Sequence, residues 1–266
     1  MIDDKRVSGL LDDFQRRGLY CFERSKVQAA LPVSSAAVGK ALQRLASKGR
    51  VIRLRKGFHA IVPLEYAAQG TPPSDWFIED LMRSLGQPYY IGLISAAAVH
   101  GAAHQQVQQL QIVVPGQERP IEVAGLSIRF FRKKDFAATP LQPRKGHSGM
   151  LPVSSPEFTA LDLVRYARHI GGLDAILTVL TELAEAIDPA RLAAASATES
   201  ETAYVQRLGW LLDHLGKTAL ADALHAALPV AKPLPRAALD PGAPRVGPIT
   251  GNRWRILENT RPEADL

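Results

Sequence analysis

Lys40, Gln43 and Arg44 lie within about one helical turn of each other, with Ser34, Ser35 and Ala36 a turn earlier and Lys48 a turn later. These residue types suit a nucleic-acid duplex. A glutamine pairs bidentately with adenine and an alanine methyl meets a thymine methyl, while lysine and arginine reach phosphates. A few residues on, "RLRKG" adds Arg53, Arg55 and Lys56. We expect Ser35, Ala36, Lys40 and Gln43 near base edges, with Arg44 and Lys48 on phosphates. Arg53, Arg55 and Lys56 would hold the backbone or an adjacent minor groove, and Ser34 is expected among the DNA-binding residues.

Other groups are less suited to chemistry. His100 and His104 are four apart, as two helical metal ligands would be, but Gly101 intervenes and no third ligand has a motif spacing, so His100 reads as a helix-end packing histidine. Glu157 and Asp162 are five apart on one helix and project in different directions; they read as a first-turn dipole partner and a solvated or capping carboxylate. Glu122 with Lys133 or Lys134 imitates part of a metal-dependent nuclease site, without a second acidic ligand. Tyr89, Tyr90 and Trp210 read as core aromatics rather than base-stacking platforms. No Walker loop, GxSxG or glycine-rich dinucleotide fingerprint occurs. The expectation is therefore no catalytic residue, no metal ligand and no cofactor.

The elements that must position the basic residues are legible. Val7, Leu10, Leu11 and Phe14 give an amphipathic helix ended by Gly18. A short second helix is expected after Ser25 as N-cap, with Val27, Ala30 and Leu31 inward and Pro32 ending it. "PVSS" turns into a third helix whose stripe is Val38, Ala41, Leu42 and Leu45, leaving Ala36, Lys40, Gln43, Arg44 and Ser47 opposite, with Gly49 after its end. "RVIRL" and "FHAIV" then form a hairpin turning at Gly57. Three helices and a basic hairpin in that order make a winged helix-turn-helix, a fold that reads DNA with its third helix but also serves as a protein–protein module.

Charge follows the same division. Residues 1–66 hold 13 Lys or Arg against 6 Asp or Glu, whereas the other 200 residues hold 19 against 20. An anionic partner for the N-terminal quarter accounts for this, since phosphate neutralisation releases counterions; a solvated basic face is the alternative. With 266 residues and 46% hydrophobic content the chain can form two domains of unequal size. The start "MIDDKR" is unlike a signal peptide, no membrane span is evident, and Cys21 is the single cysteine, so a soluble, cytoplasmic protein is expected.

"YAAQGTPPSD" reads as a linker that sets the domains at 1–69 and 70–266, with Ser74 or Asp75 capping "WFIEDLMRSLG". Then come a small-residue helix in "PYYIGLISAAAVHGAAHQ", a strand in "VQQLQIVVP", and a strand, a turn at Gly125 and another strand in "IEVAGLSIRFFRK". "GMLPVSSPEFTALDLVRY" gives a strand and a helix capped by Ser155, with Pro156 first and Glu157 in the first turn. Further helices follow in "GGLDAILTVLTELAEAI", "ETAYVQRLGWLLDHLG" and "KTALADALHAAL". Residues 229–248 hold six of the 19 prolines and should run extended over the surface, and "NRWRILEN" should dock back with Trp254 and Ile256 on one side. The fold class expected is α+β, a winged helix-turn-helix followed by a larger mixed domain with a small sheet and a helical bundle.

The winged part with "LASKGRVIRLRKGFHAIVP" resembles the N-terminus of AbiEi-type antitoxins, the DNA-binding partners in abortive-infection toxin–antitoxin pairs. "PYYIGLISAAAVHGAAHQQVQQLQIVVP", "VSSPEFTALDLVRY", "GGLDAI" and "YVQRLGWLLDHLG" resemble that family's C-terminal antitoxin domain in the same order. His59 departs from the tyrosine more usual in the wing strand. The resemblance implies a transcriptional autorepressor that binds inverted repeats in its own operon promoter, and a C-terminal domain that counters a nucleotidyltransferase-like toxin encoded beside it. In that family the pair is often described as type IV, the antitoxin opposing the toxin's effect without a stable complex. A monomer in solution with two copies on double-stranded DNA, and a role in phage defence, complete the expectation. The rivals are a non-DNA protein-interaction module and the metal-dependent nuclease.

Overall fold

The computed structural model describes residues 2–102, 109–147, 149–228, 233–247 and 251–264. In chain order the elements are α1 (Ile2–Arg16), β1 (Cys21–Glu23), α2 (Arg24–Ala30), α3 (Ser35–Ser47), β2 (Val51–Arg55), β3 (Phe58–Ile61), α4 (Ile78–Leu85), β4 (Tyr90–Ile91) and α5 (Leu93–Val99). There follow β5 (Gln109–Val114), β6 (Ile121–Val123), β7 (Leu126–Arg132), β8 (Arg144–Gly146), β9 (Gly149–Leu151), α6 (Pro156–Arg165), α7 (Gly172–Leu183), α8 (Pro189–Ala197), α9 (Thr202–His214), α10 (Thr218–Ala227), β10 (Ala237–Ala238) and β11 (Ile256–Leu257). Helices and small sheets together make an α+β protein, as expected.

The chain divides into two compact units. One takes Met1–Tyr89, Gln108–Arg132 and Pro143–Leu151, the other Tyr90–Val107, Lys133–Gln142 and Pro152–Leu266. This division differs from a single cut near residue 70. The reason is visible inside the first unit: Trp76 packs on Tyr20 with centroids 4.2 Å apart and stacks on His147 at 4.3 Å. Segments well beyond the Gly70 turn thus pack with a residue of the N-terminal quarter, which a composition shift along the chain does not reveal.

In the first unit, Val7, Leu11 and Phe14 of α1 pack with Phe22, Val27, the α3 stripe Val38, Ala41, Leu42 and Leu45, and Val51 and Ile61. That is the stripe the helical spacing selects. The sheet order is β1-β3-β2, both pairs antiparallel, with Cys21 opposite Ala60, Ile52 also opposite Ala60, and an irregularity between Arg53 and Arg55. Two local expectations are corrected. Ser25 is not the N-cap of α2: Glu23 holds that position, and the Ser25 hydroxyl donates to Glu23 Oε2 at 2.9 Å, while Ala30 is exposed. Ser74 and Asp75 begin a single 3₁₀ turn rather than capping α4, whose N-cap is Phe77. β5 runs parallel to β7, and β6 folds back antiparallel on β7 through Ala124 and Gly125, both at positive φ.

The second unit centres on α6, whose residues Pro156 to Val164 are all buried, with α5, α7, α8 and α9 packed on it. Ser155 caps it as expected, accepting from the Phe158 N–H at 3.4 Å. α8 carries no counterpart among the expected elements; it begins at Pro189, and the Asp188 carboxylate accepts from Arg191 N at 2.8 Å. The 229–248 segment is described from residue 233, where Ala237–Ala238 pairs in parallel with Ile256–Leu257. Trp254 and Ile256 are fully buried, so the C-terminal strand does dock back.

Candidate nucleic-acid interface

α3 starts where Ser34, in extended conformation, accepts the Ala37 N–H on its hydroxyl at 3.2 Å, replacing one of the bonds the first turn lacks. Burial of Val38, Ala41, Leu42 and Leu45 leaves Ala36, Lys40, Gln43, Arg44 and Lys48 exposed. Gly49, at φ +68°, follows the C-cap Lys48 and takes the left-handed conformation that ends the helix. The face expected to read bases is thus presented to solvent as one surface.

Ser35 is placed differently from its neighbours. Arg24 Nη2 donates to the Ser35 carbonyl at 2.5 Å and to its hydroxyl at 2.9 Å, tying α2 to the first turn of α3. A Cβ on Gly39 would sit 3.2 Å from Arg24 Nη2, so the glycine in mid-helix gives the guanidinium room. Arg24 was not among the expected residues. Gly39, which costs about 1 kcal/mol against alanine in a helix interior, was the available signal.

The hairpin separates its three cations. Arg53 and Lys56 are exposed, while Arg55 is half-buried. Its Nη2 donates to the Arg119 carbonyl, its Nη1 to the Pro120 carbonyl at 3.1 Å, and its guanidinium lies 5.6 Å from the Phe130 ring centre. Burial pushes its pKa below the ordinary arginine value. Arg55 therefore braces the hairpin against the segment before β6. His59, opposite Arg53 and Phe22, stacks on Phe22 with centroids 5.5 Å apart. Desolvation first, then the charges of Arg53 and Arg24, lower its pKa to about 4, so the ring is neutral at pH 7.

The residues weighed for other chemistry fall into structural contacts. His100 ends α5 with Nε2 2.7 Å from the Ser154 carbonyl, the packing role expected; His104 lies outside the described residues. Glu122 Oε1 accepts the Ser127 hydroxyl at 2.8 Å. Lys133 is buried and pairs with Asp162 at 2.8 Å, its ammonium 4.4 Å from the Phe158 ring centre, while Lys134 is exposed. Asp162 is consequently not solvated: it is fully buried and also accepts the Tyr90 hydroxyl at 2.7 Å. Burial and Asp162 raise the Tyr90 pKa beyond the usual phenol range. Glu157 does stand in the first turn of α6, but buried, where it accepts Asp188 N at 3.2 Å and meets Arg191 Nε at 3.3 Å. Tyr89 and Tyr90 are buried, and Trp210 is half-buried with its Nε1 donating to Glu258 Oε1 at 3.1 Å. Among the described residues no three His, Cys, Asp or Glu gather as metal ligands, and no helix is long and apolar enough to cross a membrane.

The architecture is an α+β protein with a basic helix-and-hairpin face on one unit and a largely helical second unit. Residues 90–214 match the family model of the AbiEi antitoxin C-terminal domain, which bears out over that segment the resemblance to AbiEi-type antitoxins. The fold is similar to the crystal structure of the RV2827C protein from Mycobacterium tuberculosis, at 17% identity and a TM-score of 0.67, covering 98% of this chain and 91% of that one. A looser likeness, at 11% identity and a TM-score of 0.39, links 56% of this chain with 89% of an antigenic nucleotidyltransferase-like protein from Paracoccidioides brasiliensis. No curated protein matches the chain.

Proposed function

We propose that this protein is the antitoxin of a toxin–antitoxin pair and the DNA-binding autorepressor of its own operon. The observation that carries the DNA reading is the coincidence, on α3 and the adjoining hairpin, of an apolar stripe fully committed to the core with an opposite face of Ala36, Lys40, Gln43 and Arg44. On this reading residues 1–69 are a winged helix-turn-helix whose α3 enters the major groove. Lys48, Arg53 and Lys56 follow the phosphates, while Ser34, Ser35 and Arg55 hold the reading surface in shape. The match over residues 90–214 supports the antitoxin role, placed in the 70–266 part and acting without catalysis.

The protein acts in the cytoplasm as a monomer and occupies inverted repeats in its promoter as two copies. It opposes a nucleotidyltransferase-like toxin in abortive infection. A mobility-shift titration against roughly 200 base pairs upstream of its gene, with competitor DNA, tests the reading. A specific shift is expected, lost in the Lys40→Ala/Gln43→Ala/Arg44→Ala protein, whose changes are confined to exposed positions. A shift retained by that triple variant removes α3 as the reading helix. No shift above competitor favours the protein-interaction module instead.

A further inference from the structure

The second unit holds a cavity of about 320 Å³ with an arginine-rich wall. Three arginines line it, and they differ in how far the protein neutralises them. Arg165 is paired: Nη2 meets Glu199, Nε stands 3.9 Å from Asp162 and Nη1 stands 4.0 Å from Glu201. Arg207 is only 9% exposed, yet its sole hydrogen bond among the described residues runs from Nε to the Ala238 carbonyl at 2.8 Å. It forms no ion pair among them, and Glu201 and Asp240 act on it only at longer range. Arg168 stands exposed at the rim with neither a hydrogen bond nor an ion pair among the described residues. A Cβ on Gly242 would sit 2.6 Å from Arg168 Nε, so the guanidinium lies against bare backbone.

A guanidinium taken from water without a carboxylate at hydrogen-bond distance is costly, and such groups are normally paired with an anion. Burial lowers the pKa of Arg207 from its ordinary value, the expected sign for a cation held without full compensation. Tyr204 carries Arg165 and Arg207 at 4.5 and 5.6 Å from its ring centre, which fixes the orientation of both. Planar forks held in this way match the oxygens of a phosphate group. Of the two carboxylates on the wall, Asp240 accepts the Gly242 N–H on Oδ1 at 2.7 Å, which leaves its other oxygen for a hydroxyl or amine of a guest. The volume is near the lower end for small-molecule sites, the size range of a nucleotide or sugar phosphate.

We propose that this cavity binds a phosphomonoester of nucleoside-monophosphate size, with the phosphate on Arg168 and Arg207 and hydroxyl or amine donors toward Glu201 and Asp240. The site is separate from the reading face on α3 and does not depend on it. Calorimetric titration of the full chain with AMP, GMP, ribose 5-phosphate, inorganic phosphate and adenosine tests it. The phosphomonoesters should bind, and adenosine, lacking the phosphate, should bind at least about tenfold more weakly than AMP. Arg168→Ala, at an exposed position, should weaken AMP or ribose 5-phosphate binding about tenfold or more, and Arg168→Lys should recover part of it. Absence of binding by every phosphomonoester up to about 10 mM overturns the proposal. So does equal affinity in wild type and Arg168→Ala, or an Arg168→Ala defect seen only with a 20-base-pair duplex, which would assign the arginine to the DNA backbone.

Discussion

Acidification should destabilise the first unit through a single ring. His59 is 7% exposed, its Nδ1 has no hydrogen-bond partner among the described residues, and one face is stacked on Phe22. Its pKa falls from 6.5 to about 4 because the buried imidazolium would lose solvation beside Arg53 and Arg24. In the unfolded chain the ring regains its ordinary value. Stability from the neutral ring is therefore complete above about pH 6.5, is lost as the pH falls toward 4, and levels off below that. At pH 5 the unfolded state holds the proton and the folded state does not, a difference of about 2 kcal/mol relative to pH 7.5. The assay is urea unfolding of wild type and His59→Phe, whose ring keeps the stacking shape but cannot titrate. Any stability advantage of wild type over the variant should fall by about 2 kcal/mol between pH 7.5 and 5. A pH-independent difference, or an NMR titration midpoint for His59 between 6 and 7, would refute the burial argument.

Lys133→Met should destabilise the second unit by about 3–5 kcal/mol, because Asp162 would be left buried with no hydrogen-bonded cation and only Arg165, 3.9 Å away, to offset its charge; thermal melts check this, and adding Asp162→Asn should recover part of the loss. Gly209→Ala should undock the C-terminal strand, since a Cβ there would overlap the Trp254 ring; a red shift in tryptophan emission and new protease cleavage within residues 251–264 are the expected signs. If the hairpin touches phosphate, Arg53→Ala with Lys56→Ala should lower the slope of log affinity against log salt by about 2 without changing the preferred operator. Arg55→Ala should instead leave the slope within error and lower the melting temperature, because its partners are the carbonyls of Arg119 and Pro120.

What was legible in the sequence is what neighbouring residues decide. The stripe of Val7, Leu11 and Phe14, the stripe of Val38, Ala41, Leu42 and Leu45, the Ser155 cap and the turn at Gly125 depend on spacing within one element. β1 is three residues long and exists only because β3, some 40 residues later, pairs with it, and β10 and β11 are two residues each and need one another. Spacing along α6 makes Asp162 a solvated or capping carboxylate because carboxylates are mostly exposed, and the lysine that bonds it lies 29 residues away on another segment. Arg53, Arg55 and Lys56 looked equivalent for the same reason: nothing local marks Arg55, whose carbonyl partners are 64 and 65 residues distant. Gly39 differs: a glycine in mid-helix is a local anomaly, and the Arg24 guanidinium lies against it.

The structure also limits how much base information α3 could carry on the proposed reading. Of the first-turn residues, Ser34 caps the helix and Ser35 is held by Arg24, so neither hydroxyl is set aside for a base edge. Among the remaining exposed positions only Gln43 has the side chain for bidentate recognition of adenine, whereas Ala36 offers a methyl, Lys40 a single-point charge and Arg44 is expected on a phosphate. One α3 therefore specifies few base pairs, each worth about 1–3 kcal/mol of discrimination. That is too little for one copy to find one promoter in a genome, where specific sites compete with a large excess of others. Two copies on an inverted repeat double the number of bases read, and sequence-dependent groove shape under Arg53 and Lys56 adds discrimination without base contacts. The sparse reading face and the inverted-repeat operator are for that reason coupled expectations: a high-affinity single half-site would contradict the composition of α3 as much as it would contradict the autorepressor model.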